Sequence, residues 1–89
     1  MNTPAVSALV TVYNRAHILT ETVHSLLNSG YRDLEIVLVD DCSTDESWSL
    51  CQALAESSPQ VRAFRNEKNL GDYANRNRSA SLARGKYLK

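Results

Sequence analysis

Two short clusters in this 89-residue chain carry most of the groups able to do chemistry. Thr11-Val12-Tyr13-Asn14-Arg15 supplies a hydroxyl, an aromatic face, an amide and a guanidinium. Asp40-Asp41-Cys42-Ser43 supplies paired carboxylates and a second hydroxyl. A nucleotide base needs that combination. A ring can stack on Tyr13, and a carboxylate can accept a hydrogen bond from the imino N–H that uracil or guanine presents. Side chains alternate along an extended chain, so one of Asp40 and Asp41 is expected to face the ligand and the other the structure. Taken singly, each cluster also has a plain structural use. Aspartates often precede helices or hold loops, Tyr13 could pack, and Asn14 suits a helix N-cap.

Regular elements must position these groups. Val6 to Val12 is short, β-branched and uncharged, which suits a strand buried on both faces of a parallel sheet. Asn14 can cap the helix that follows, where Ile18, Leu19, Val23, Leu26 and Leu27 form one apolar stripe closed by a left-handed Gly30. Glu35 to Asp40 is a second continuous apolar run ending in the two aspartates. Ser43-Thr44-Asp45-Glu46 has the form of a capping box, opening a helix with Trp48, Cys51, Leu54 and Ala55 on one side. A third strand is expected over Val61 to Arg65, a turn at Asn69-Leu70-Gly71, and a helix from Tyr73 to Arg84 whose period runs through Tyr73, Asn77 and Ala80. Gly85 closes that helix, and Tyr87-Leu88 begins a fourth strand. Single helices between strands specify an α/β, three-layer sandwich on an open, mostly parallel, Rossmann-like sheet with right-handed crossovers. Ligands of such sheets bind outside the carboxyl ends of the strands, where both clusters fall.

Composition narrows the function classes. Ten basic and ten acidic residues cancel, so no general basic surface points to nucleic acid. Cys42 and Cys51 form no CxxC and have no His or Cys at metal-ligand spacing, which fits a reduced pair. The N-terminus lacks a basic segment followed by an apolar core, and no apolar stretch approaches the ~18 residues of a membrane span. A cytoplasmic placement is expected, with a membrane-peripheral parent protein as the other option.

A third set of residues follows the two clusters in order: Asn69-Leu70-Gly71, then Arg76-Asn77, then Ala83-Arg84-Gly85-Lys86-Tyr87-Leu88. The three sets, spread over essentially the whole chain, resemble the inverting family 2 glycosyltransferases of the GT-A fold. That family shows a Pro-Thr-Tyr-Asn-like turn after its first strand and Asp-Asp-Gly-Ser with Thr-Asp after its second. An Asn-x-Gly, Ala-Arg-Asn and Ala-x-Gly-Glu-Tyr-Ile series comes next. The resemblance implies that Thr11 and Tyr13 contact the base and that Asp41, with Asp40 beside it, accepts from the imino group. It further implies that Arg76, or a nearby basic residue such as Arg78, approaches the base or diphosphate, and that Gly71 lets the backbone pass close to the ligand. Val12, Cys42 and Lys86 depart from the family pattern. Residues 1–89 then correspond to the N-terminal part of a family 2 domain, before the Asp-x-Asp motif that holds a divalent metal, Mg or Mn, on the diphosphate.

The implied parent protein transfers a sugar from a nucleotide-diphosphate donor, UDP-linked, to an acceptor hydroxyl on a glycan or lipid-linked acceptor, with inversion. The 89-residue chain alone is expected to be inactive and to self-associate. A non-catalytic nucleotide-binding or interaction module of Rossmann-like fold is the alternative. A dinucleotide-binding domain would need a Gly-rich turn after strand one, where this chain has Val-Tyr-Asn-Arg and only three glycines in all. A receiver-like domain would need an Asp after strand three, where Arg65-Asn66-Glu67 stands.

Overall fold

The computed structural model describes residues 6–30, 33–84 and 87–88, and the backbone alone of residues 72, 73, 76, 87 and 88. The elements alternate: β1 (Val6–Val12), α1 (Ala16–Leu27), β2 (Leu34–Asp40), α2 (Ser47–Ser57), β3 (Val61–Arg65), α3 (Asp72–Leu82) and β4 (Tyr87–Leu88). All pairings are parallel and the strand order is β3-β2-β1-β4. The expected adjacency of the first two strands is therefore present. Every residue of the central β2 is buried, as its uninterrupted apolar run requires.

Period-two alternation divides the sheet into two faces. Ala8 and Val12 of β1, with Leu34, Ile36 and Leu38 of β2 and Val61 of β3, pack against Leu19 and Val23 of α1 and Cys51 and Leu54 of α2. The opposite face is covered by α3, which lies on β1 and β2. Its contact is polar. Asn75 and Ser79 are buried, and Asn75 Nδ2 donates to the Val39 carbonyl at 3.1 Å. The sequence periodicity had aimed Asn77 and Ala80 inward; both are exposed instead. A strongly polar helix offers no apolar stripe, so hydrogen bonding to β2 decides its rotation. Tyr73's side chain and Gly85 lie outside the described residues.

Glu35 sits on that polar face, buried, as the acceptor of a four-part network. Ser7 Oγ donates to its Oε2 at 2.6 Å and Arg62 Nη1 to its Oε1 at 2.9 Å. Arg84 adds its backbone N–H and an Nε at 3.3 Å. Burial pushes the Glu35 carboxyl up, but these donors outweigh it and pull the group down to about 2. The network ties β1, β2 and β3 to the end of α3.

Register brings the strand ends level. Val12 pairs with Asp40, and Asp40 with Arg65. The residues that follow, Tyr13, Asp41 and Asn66, consequently leave the sheet side by side along one edge.

Candidate functional site

The site is built on loop 13–15, loop 41–46 and loop 66–71. The first two are stitched together by reciprocal capping. Three successive amides at the start of α1 donate across the gap: Asn14 N to Ser43 Oγ at 2.9 Å, Arg15 N to Ser47 Oγ at 2.9 Å, and Ala16 N to Asp45 Oδ2 at 3.3 Å. In return Asn14 Oδ1 accepts from Thr44 N at 2.8 Å and from Asp45 N at 3.3 Å. Asp45 Oδ1 closes the start of α2 by accepting from Ser47 N at 2.8 Å. Its carboxyl is held below the ordinary range by Ser47 first, with burial opposing and the Ala16 amide adding a smaller lowering effect.

This arrangement corrects two expectations. Asn14 does not cap its own helix: Arg15 holds the N-cap position of α1, and Asn14 adopts a left-handed φ of 51°. Ser43 does not close a capping box either, since Glu46 is the N-cap of α2 and has no side-chain bond. The capping side chains satisfy orphan helix amides as anticipated, but those of the neighbouring loop. Because the α1 amides are already paired, a phosphate cannot seat there in the manner of a Gly-rich loop.

Both aspartates are structural acceptors here. Asp40 is fully buried; its Oδ1 takes the Ser43 hydroxyl, and its Oδ2 takes Ser43 N at 3.0 Å and Arg65 Nε at 3.4 Å. Asp41 is 3% exposed; its Oδ1 accepts from Leu70 N at 2.7 Å and Asn66 Nδ2 at 2.9 Å, and its Oδ2 from Gly71 N at 2.9 Å. Burial pushes Asp41 up, but the Leu70 amide, Asn66 and the Gly71 amide hold it below the ordinary carboxylate range. The protein's own donors thus reach both carboxylates, Asp40 within the loop after β2 and Asp41 against the loop after β3. Neighbouring donors lie within reach of both side chains, so strand alternation does not decide the matter. Each carboxylate has three donors, with one oxygen of each, Asp40 Oδ1 and Asp41 Oδ2, accepting from a single group.

The remaining predicted residues separate. Tyr13 is 41% exposed at the edge, with its loop fixed by the cross-caps and by Asp41 N donating to the Val12 carbonyl at 2.7 Å. Thr11 is half-buried and lines a hollow of about 200 Å³ with Val10, Arg15 and Ile18. Gly71 is the N-cap of α3 at φ 85°, and an added Cβ would meet nothing within 4 Å. Backbone conformation, rather than crowding, calls for glycine there. The side chain of Arg76 lies outside the described residues. Arg78, its stand-in, lines a different cleft at the β3 edge.

Among the described residues no group of three or more His, Cys, Asp or Glu could hold a metal ion. Asp40 and Asp41, already bonded to protein donors, do not fit a divalent cation. Sequence reasoning missed the Asn66 bridge, which joins Asp41 to Asn75 Oδ1 at 2.7 Å. Its only sequence signal is an asparagine one residue past a strand.

The sequence profile described as glycosyl transferase family 2 matches residues 7–88. The chain belongs to that family. Its similarity extends to a GalNAc(5)-diNAcBac-PP-undecaprenol beta-1,3-glucosyltransferase of Campylobacter jejuni, 30% identical over 96% of this chain and 28% of that protein. Among solved structures, the mannosyltransferase PcManGT of Pyrobaculum calidifontis, in complex with GDP-Man and Mn2+, superposes with a TM-score of 0.86 at 26% identity, covering 99% of this chain and 27% of its own. S. aureus TarS 1-349 in complex with UDP-GlcNAc gives 0.84 at 28% identity, over 94% and 25%. The GT-A type α/β fold is therefore shared. The chain spans about a third or less of the length of the curated relatives it matches. Cys42 keeps a left-handed φ of 59°, a conformation that favours glycine.

Proposed function

We propose that residues 1–89 form the N-terminal, nucleotide-recognition half of a family 2 glycosyltransferase domain. The enzyme would move a sugar from a UDP-linked donor to an acceptor hydroxyl, with inversion, in polysaccharide or glycoconjugate biosynthesis. The observation that carries this reading is the exposed Tyr13 on a hydrogen-bonded loop at the carboxyl edge beside Asp41 in a family 2 chain. A preformed aromatic platform stacks a base without losing much freedom on binding. Thr11 borders the same loop, and Arg76 is on the first turns of α3. Asp41 Oδ2 retains one acceptor position for an imino N–H, next to the Gly71 amide.

Support for the donor class comes from the neighbours in complex with UDP-GlcNAc and with GDP-Man and Mn2+. A divalent metal, Mg or Mn, would neutralise the diphosphate charge. The undecaprenol-linked name of the Campylobacter relative favours a lipid-linked acceptor and a membrane-peripheral site of action on the cytoplasmic side. No helix among the described residues is long and apolar enough to cross a membrane.

UDP titration followed by NMR or calorimetry tests the proposal, with Tyr13→Ala as the diagnostic variant. Without diphosphate contacts the dissociation constant is expected near ~1 mM, about 4 kcal/mol. Loss of stacking, worth roughly 1–3 kcal/mol, should weaken binding by about fivefold or more. Equal affinity of the wild type and Tyr13→Ala would remove the platform from the reading.

A further inference from the structure

Asn66 stands one residue past β3, between the loop after β2 and helix α3. Its backbone N–H donates to the Asp40 carbonyl at 2.9 Å, which carries the β2–β3 ladder one step beyond the strands. The residue is buried, at 5% exposure. Both hydrogens of Nδ2 are in use: one goes to Asp41 Oδ1 at 2.9 Å and the other to Asn75 Oδ1 at 2.7 Å. Asn75, on α3, is buried as well and donates its own Nδ2 to the Val39 carbonyl at 3.1 Å.

The direction of this chain of bonds is fixed at its far end. A backbone carbonyl only accepts, so Asn75 presents its NH2 to Val39 and its oxygen to Asn66. Asn66 must then present its own NH2, because turning its amide would set oxygen against the oxygens of both Asn75 and Asp41. The arrangement leaves Asn66 Oδ1 buried without a donor among the described residues. An orphan acceptor carries a desolvation cost, which an apolar side chain filling the same space would not. What the asparagine adds is a donor held on Asp41.

Asp41 Oδ1 also accepts from Leu70 N at 2.7 Å, and its Oδ2 from Gly71 N at 2.9 Å. Three donors spread over two oxygens hold the plane of the carboxylate, and the Asn66 bond anchors it through Asn75 to the backbone of β2. We propose that Asn66 is a positioning residue for base recognition, keeping Asp41 in the orientation in which it meets a base imino N–H, an assignment that rests on the reading of Asp41 as the imino acceptor. Uracil offers an imino N–H at the edge where cytosine offers a bare acceptor nitrogen. Asn66 therefore sharpens the choice between these two bases without touching either.

Parallel titrations of UDP and CDP into the protein, followed by amide NMR shifts, test this. The wild type should prefer UDP by about tenfold, the range of a hydrogen bond to a charged group. Asn66→Ala should weaken UDP by about fivefold and leave CDP within about twofold, so that the preference collapses. Tyr13→Ala should weaken both nucleotides alike, because stacking tolerates any base. A merely structural Asn66, whose loss loosens the loop, would also weaken both alike, and that result overturns the proposal. Where Asn66→Ala fails to fold, the Asn66 Nδ2 proton signals of the wild type report instead. They should shift with UDP and stay in place with CDP, and an equal response to the two, or none, overturns the proposal. An undiminished preference in Asn66→Ala overturns it too and leaves Asp41 as the acceptor. Equal affinity of the wild type for UDP and CDP removes the Asp41 reading itself, and the positioning role with it.

Discussion

Replacing Glu35 by glutamine tests how the sheet is tied to α3. The carboxylate is buried and receives Ser7, Arg62 and two donors of Arg84. Its pKa falls from 4.5 to about 2, which corresponds to roughly 3 kcal/mol of preferential stabilisation of the charged form on folding. Because the folded value is depressed, this contribution is fully present above pH ~4.5 and is lost as pH falls toward 2. Glu35→Gln leaves Arg62 and Arg84 without their counter-charge, and at neutral pH the loss should lie near 3 kcal/mol, as for breaking other buried pairs. Urea denaturation at a series of pH values from 7 to 2.5 reads both quantities. The gap between wild type and variant should be constant down to pH ~5 and then narrow steadily. A gap that stays the same across the series would show that folding does not depress the Glu35 pKa, and the reasoning would fail.

Asn14→Ala should cost about 2–3 kcal/mol in the same denaturation assay, from the lost cross-loop acceptor and from placing alanine at positive φ; Asn14→Asp, which keeps the acceptor, should cost less than half of that. Cys42→Gly should raise stability by up to ~1 kcal/mol, since a left-handed residue then carries no Cβ, and a loss of stability would mean the Cys42 contact with the Glu67 carbonyl outweighs strain. Cys51 should resist thiol reagents in the native state, because burial and then the nearby Asp40 charge push it up to about 12; rapid labelling at pH 8 would contradict this. Light scattering of the 89-residue chain should show association through exposed apolar surface such as Ile18, and a strict monomer at high concentration would refute it.

Much of the architecture was legible because its strands are written in one way only. Continuous β-branched runs such as Val6–Val12 and Leu34–Asp40 suit a strand covered on both faces, and single helices between them permit little but a parallel sheet. The same local reading failed at α3, whose buried face is Asn75 and Ser79, because polar residues show no period when hydrogen bonds select the face. It failed again at the caps. Ser43 and Asn14 are residue types that cap, and sequence proximity pointed each to its own helix. Parallel neighbours place two helix starts at one sheet edge, so the nearest orphan amides belong to the other loop.

That failure bears on function. The reciprocal caps and the Asp41 bonds to Leu70 and Gly71 spend the polar groups of the edge on holding three loops in one position. They leave Tyr13 exposed, together with Leu70. A family 2 chain that recognised its nucleotide with free carboxylates would have to desolvate them on binding. By settling its aspartates on its own backbone, this one keeps the loops ordered before the ligand arrives, and the proposed stacking surface is presented at little entropic cost.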